Sequence, residues 1–237
     1  AVANYMIIGS RQLGQEIFSV VNGKVTIQDD KEILRKLWDN LYVPHVQGWF
    51  AAYGKFRSDD IKTRDIIALV GSTSGAAYFP NKVNLSDTES YPVESLVMPA
   101  PVFKGGEAYA VQQGAGMVVT KSDAKTEYGA VVFLKWFTEA QRNLDFSISS
   151  GYLPVKKEAN TQDMLNAALD KEAAVSYTVH LKKTLPVAME MAQTYTMYTN
   201  KAFQGGTAAR AVLENSMMDK IKTDLAAIDA LVESGQS

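Results

Sequence analysis

Apolar positions along the chain change their period several times, and each change marks a candidate element. Val20-Val21-Asn22-Gly23-Lys24-Val25-Thr26-Ile27 sets Asn-Gly between β-prone flanks. That pair supplies the positive φ values of a two-residue turn, so the segment reads as a hairpin. Ile33, Leu34, Leu37, Trp38 and Leu41 then recur at helical spacing behind Asp30, a candidate N-cap, and Pro44 marks a boundary. Upstream, Tyr5-Met6-Ile7-Ile8 is a short apolar run that predicts a strand or a buried lead-in. Polar Ser58 to Arg64 leads into Asp65-Ile66-Ile67-Ala68-Leu69-Val70, whose continuous apolar run predicts a buried strand. That strand would end in Gly71-Ser72-Thr73-Ser74-Gly75-Ala76-Ala77. Asn81 to Pro92 reads as loop, Glu94 to Met98 as a strand stopped by Pro99 and Pro101, and Lys104-Gly105-Gly106 as a turn.

In the second half the helical period dominates. Tyr109 to Thr120 predicts a strand interrupted by Gly114 and Gly116. Glu127 to Ser149 predicts one amphipathic helix, its apolar face running through Ala130, Phe133, Leu134, Phe137, Leu144 and Ile148 with Gln141 as the polar interruption. Gln162 to Ala174 predicts a further helix, and Thr178 to Tyr198 another, broken at Pro186. Thr207, after Gln204-Gly205-Gly206, is the expected N-cap of the last helix. Leu213, Met217, Ile221, Leu225, Ile228 and Val232 would line its buried side. The pattern is mixed α/β, without internal repeats.

Composition narrows the chemistry. The 237 residues are 46% hydrophobic and 21% charged, which suits one large domain or two small ones. With no cysteine, a disulfide framework, a thiolate metal site and cysteine catalysis are excluded. A net charge of −2 with interspersed signs leaves no nucleic-acid footprint. No apolar run approaches the ~18 residues of a membrane span. His45 and His180, the only histidines, lack zinc-ligand spacing. Asp29-Asp30 and Asp59-Asp60 do not fit a calcium loop and read as helix caps or solvated loops. There is no Walker loop, Gly-x-Ser-x-Gly or HExxH. Catalytic carboxylates need not be adjacent, so a carbohydrate-active hydrolase stays open as an alternative, as does a protein-interaction domain.

One ordered set of motifs goes further. Gly114-Ala115-Gly116-Met117, the Phe- and Trp-rich helix, and then Ser150-Gly151-Tyr152-Leu153-Pro154-Val155 follow the Ser58 to Ala77 segment and the proline-containing stretch from Met98 to Val119. This order resembles the extracellular solute-binding proteins of bacterial ABC importers, family 1, of the sugar and glycerol-3-phosphate-binding type. The resemblance implies a non-enzymatic protein with an α/β, periplasmic-binding-protein-like type II fold. Its two lobes, joined by crossing strands, would close by hinge motion on a solute and dock on permease subunits. It implies no cofactor or metal. It places the protein outside the cytoplasm, periplasmic or held at the surface as a lipoprotein, with the export signal beyond this chain. The chain itself would be truncated, lacking the start of the first lobe. Residues 1–113 would form the first part of the second, C-terminal lobe. Residues 114–158 would be a remnant of the first lobe, and 159–237 the closing helices of the second.

Within that family the chain is most similar to the glycerol-3-phosphate-binding branch. Val70-Gly71-Ser72-Thr73-Ser74-Gly75 resembles the branch's serine-rich turn, Tyr152 falls on its ligand-contacting tyrosine, Gly114 near its backbone-contact glycine and Arg210 on its phosphate-contacting arginine. Gln112-Gln113 departs from the glycine usual before Gly114, and the sugar-stacking tryptophan of maltose-type members would fall near Thr73. The resemblance thus implies a small polyol phosphate, a glycerophosphodiester or a sugar as solute, held by Ser72, Thr73, Ser74, Gly114, Tyr152 and Arg210. Each residue also has a structural reading. The Ser-Thr-Ser hydroxyls suit a helix cap, Tyr152 a loop anchor and Arg210 the polar side of a helix. Trp49, Tyr53, Tyr78 and Phe79 are possible aromatic walls; Trp38 and Trp136 sit on helical patterns and read as structural.

Overall fold

The computed structural model describes residues 2–54, 56–170 and 178–235. In chain order it contains α1 (Val2–Gln12), β1 (Phe18–Val21), β2 (Lys24–Ile27), α2 (Lys31–Asp39), α3 (Tyr42–Val46) and α4 (Arg57–Lys62). A 3-10 helix (Thr73–Tyr78) precedes β3 (Lys82–Asn84), β4 (Ser90–Pro92) and β5 (Tyr109–Val111). Then come α5 (Ala124–Phe137), α6 (Ala140–Ser150), α7 (Gln162–Leu169), α8 (Thr178–Thr194), β6 (Thr196–Tyr198) and α9 (Gly206–Glu233). The chain divides into two compact units, one of residues 1–53, 101–112 and 195–237, the other of 54–100 and 113–194. Residues 114–158, which the resemblance gives to a first-lobe remnant, share the second unit with 54–100 and 159–194.

In the first unit, α1 buries Ala3, Met6, Ile7 and Ser10, the i, i+3, i+4, i+7 spacing of a helical face. The Tyr5–Ile8 run is therefore a buried lead-in, with Met6 and Ile7 in the core, but helical rather than strand; four apolar residues alone do not separate the two periods. The predicted hairpin is β1–β2, antiparallel with Val20 opposite Val25, and its turn has φ 49° at Asn22 and 76° at Gly23. Asp30 caps α2, its carboxylate accepting from the N–H groups of Glu32 and Ile33 at 2.9 and 3.1 Å. Pro44 lies inside α3 rather than at a boundary; as the helix's third residue it gives up an N–H with no intrahelical partner. Lys104-Gly105 turns as expected, with φ 78° at Gly105. The predicted strand from Tyr109 shortens to β5, which pairs in parallel with β6. Thus 196–198, read as the end of a helix, are strand; Thr-Met-Tyr is better suited to a pleated pair. The last helix starts at Gly206 behind a left-handed Gly205, so Thr207 is not its cap. Met217 and Ile221 of α9 join Met6, Ile7, Ile17, Phe18, Leu37 and Leu41 in the core, with Leu213 and Leu225 packed against it. Ile228 and Val232 remain exposed.

The second unit departs more from its pattern. Asp65 to Val70 forms no strand, and Ile67 is 92% exposed. Glu94 to Met98 is likewise unpaired, whereas Asn81 to Pro92, read as loop, contains the β3–β4 hairpin. The expected single helix over 127–149 is two. Thr138 donates its hydroxyl back to the Leu134 carbonyl at 2.7 Å, and Glu139 turns extended, with φ −59° and ψ 139°, to start α6. Along α5 nothing is buried, against the expected apolar face, and Phe133 is 52% exposed. On α6 the face is realised: Leu144 and Ile148 pack with Leu165, Leu169, Leu181, Leu185 and Met189 of α7 and α8. Residues 171–174 of the predicted 162–174 helix lie outside the described residues. Pro186 does not break α8, and its carbonyl accepts from Gln162 Nε2 at 3.0 Å.

Candidate functional site

The Gly151-Tyr152 turn is built by the end of α6. Gly151 takes φ 77° and donates its N–H to the Ser147 carbonyl at 2.8 Å, the left-handed stop of a helix. Beyond it, Asn143 reaches from inside α6 to accept from Val155 N–H at 2.8 Å, while Asn160 Nδ2 donates to the Pro154 carbonyl at 2.5 Å. Pro154 and Gly151 are buried and Tyr152 is left 39% exposed, its ring 6.3 Å from Phe146 and nearly parallel at 17°.

Against this turn lies the serine-rich segment. A Cβ on Gly151 would sit 2.6 Å from Ser74 Cα and 2.8 Å from the Thr73 carbonyl oxygen, so only glycine permits the two backbones to touch. A Cβ on Gly114 would lie 4.0 Å from Tyr152 Cε1. Residues 72–74, 114 and 151–152, far apart in sequence, are thus neighbours within the second unit. Ser72 is exposed and Thr73 and Ser74 half-buried. Ser72 Oγ accepts from Gly75 N–H at 3.2 Å and lies 3.1 Å from Ser74 Oγ, so it caps the 3-10 helix, the structural role open to it from sequence. No strand leads into this turn. The surface offers hydroxyls, a phenol and the backbone of Gly114, groups that hydrogen-bond a hydroxylated or phosphorylated solute.

Arg210 belongs to the first unit. It is half-buried on α9, and its Nη2 and Nη1 donate to Asn4 Oδ1 at 2.6 Å and Asn200 Oδ1 at 3.3 Å. Two neutral acceptors aim the guanidinium, and among the described residues no carboxylate pairs with it. It is held in place rather than trailing in solvent.

Other candidates take structural places. Asp60 is not a solvated loop residue: it is 2% exposed, pairs with Arg57 at 2.8 Å and accepts from Gly54 N–H at 2.6 Å. Trp38 stacks on Tyr42 with centroids 4.4 Å apart, beside the first core. Trp136 is half-exposed under the Arg142 guanidinium, 4.6 Å from its ring. Among the described residues no cluster of histidine and carboxylate side chains could hold a metal ion, and no helix is long and apolar enough to cross a membrane. A cavity of about 410 Å³ in the first unit, walled by Met6, Leu34, Trp38, Leu213 and Met217, holds none of the predicted site residues. Sequence reading passed over Asn143, whose signal is an amide beside the apolar stripe of a helix, and Phe146, which lies off that stripe.

No curated protein and no solved structure matches the chain. A family model described as bacterial extracellular solute-binding protein matches residues 2–175, well over half of the sequence, and takes in five of the six candidate residues. On that match the chain belongs to the bacterial extracellular solute-binding protein family.

Proposed function

We propose that this chain captures a small polyol phosphate, a glycerophosphodiester or a sugar outside the cytoplasm and delivers it to the permease of an ABC importer. Family membership supports the general role of solute capture. The observation that carries the site is the contact of the Gly151-Tyr152 turn with Thr73-Ser74, with Gly114 beside the Tyr152 ring. Five of the residues suggested by resemblance meet there, on a surface rich in hydroxyls. The phosphate preference rests on Arg210. A guanidinium held by two amide oxygens, with no carboxylate partner among the described residues, keeps its charge available for an anion, which it can grip with parallel hydrogen bonds. The periplasmic-binding-protein-like type II fold is part of the same proposal.

Calorimetric titration with glycerol 3-phosphate, glycerophosphocholine and a panel of neutral sugars tests it, on the wild type and on Arg210→Ala. Phosphate-ester binding weakened at least ~10-fold in Arg210→Ala is expected, since a charge-assisted hydrogen bond contributes about 1.5–3 kcal/mol. Sugar binding indifferent to the substitution would keep the importer role and retire the phosphate. Silence towards all three would reopen the hydrolase and interaction-domain readings.

A further inference from the structure

His180 is not among the residues proposed to hold the solute, yet it is among the most enclosed polar side chains of the second unit. It is 4% exposed, in the first turn of α8, the helix on which the 3-10 helix Thr73–Tyr78 packs. The ring of Phe79, the residue that ends that 3-10 helix, meets the imidazole edge-on with centroids 5.5 Å apart. Nδ1 lies 3.1 Å from Ser95 Oγ, and one turn along α8 Lys183 Nζ donates to the Ser95 carbonyl at 2.8 Å and to Glu94 at 3.1 Å. Nε2 is enclosed and has no hydrogen-bond partner among the described residues.

A neutral imidazole fits these surroundings, with its proton on Nδ1 shared with Ser95 and its bare nitrogen on the enclosed side. A second proton would create a buried cationic donor with no acceptor. Among the described residues, the charges beside it are the Lys183 ammonium on α8, which repels a proton, and Glu94 on the extended segment, already engaged by Lys183. Phe79 and Ser95 bring no charge.

We propose that His180 is an acid-sensitive latch: as the neutral ring it holds the Phe79 end of the serine-rich turn and Glu94-Ser95 against α8, and on protonation it lets them go. Burial first, and the nearby Lys183 second, hold its pKa below the ordinary imidazole value of 6.5. An unlatched ring takes up its proton near that ordinary value, so the open form binds more protons as pH falls below it. The latch is therefore fully closed above about pH 6.5, weakens as pH falls through the interval down to the folded-state pKa, and changes no further below that. That acid release of solute would follow rests on the proposed function; the latch itself does not.

The test is a proton NMR titration of the two histidines, His180 being assigned by its absence in His180→Gln. It is paired with amide exchange, corrected for intrinsic rate, at Gly75–Phe79 and Ser95. The His180 resonance is expected to titrate below the ordinary imidazole range. The opening constant at those amides should rise about tenfold per pH unit within the window, the slope of one proton taken up, and be flat in His180→Phe. A His180 midpoint in the ordinary range or above it overturns the proposal, and the midpoint is read on the wild type, with His180→Gln serving for assignment alone. Equal acid opening in wild type and His180→Phe overturns it as well. Glycerol 3-phosphate titrations at pH 7.5 and 5.5 separate the two ideas. Binding lost at pH 5.5 in wild type but kept in His180→Phe supports the latch as a regulator. No binding at either pH counts against the proposed solute alone, while the exchange data decide the latch.

Discussion

Gly151 carries two separate constraints, and they can be measured apart. Its φ of 77° strains any side chain, and a Cβ there would run into the backbone of Thr73 and Ser74. Gly105 has nearly the same φ, 78°, but nothing within 4 Å of a Cβ. Gly105→Ala should therefore cost only the conformational part, about 1 kcal/mol. Gly151→Ala should cost more, about 2–4 kcal/mol, because backbone has to move as well. Denaturant midpoints of the two variants give the comparison, and equal losses would mean that the Ser74 contact contributes nothing. The chemistry at this scale was partly legible. Asp30 and the Asn22-Gly23 turn act through neighbours two or three residues away, so sequence suffices for them. Asp60 and His180 were not legible, because what makes each unusual is enclosure by segments brought in from elsewhere in the chain.

Among the elements, the long periodic segments are helical, though α5 buries none of its expected face, and the short apolar runs 65–70 and 94–98 form no strand. Leu144 and Ile148 take the core positions that their spacing dictates, as do Met217 and Ile221. Ile66 to Val70 had no such support: a run of five apolar residues needs a partner strand, and the structure provides none. The join between α5 and α6 hid in Thr138-Glu139, since a side chain bonding back to a carbonyl is a small local preference inside a strong helical period. Pro186 tests the opposite balance. Proline costs a helix interior about 3 kcal/mol, yet α8 continues past it because Leu181, Leu185 and Met189 are buried on both sides of the site. Pro186→Ala should regain the missing intrahelical hydrogen bond while freeing the unfolded chain. The expected outcome is a stabilisation of about 1–2 kcal/mol in urea unfolding. A loss of stability would show that the fold depends on a proline-shaped α8.

At the scale of the whole molecule, two cores form from segments that interleave along the chain. One gathers α1, α2 and α9; the other gathers α6, α7 and α8. Periodicity reports which face of each element is apolar but not which elements share a core, so the two units could not be read from spacing. The family could, because it is written in the order of motifs rather than in their packing. A separate core implies separate foldability. The second unit is interrupted only by 101–112, so replacing that segment with a flexible Gly-Ser linker of equal length within residues 54–194 isolates it. Loop-closure entropy changes little when length is kept, and the Leu144–Met189 cluster is retained whole. This piece should unfold in one cooperative thermal transition by circular dichroism. Gly151→Ala should lower its midpoint as it does in the full chain, because both turns in that contact lie within the piece. A gradual, non-cooperative melt would mean that the second core draws its stability from residues of the first unit.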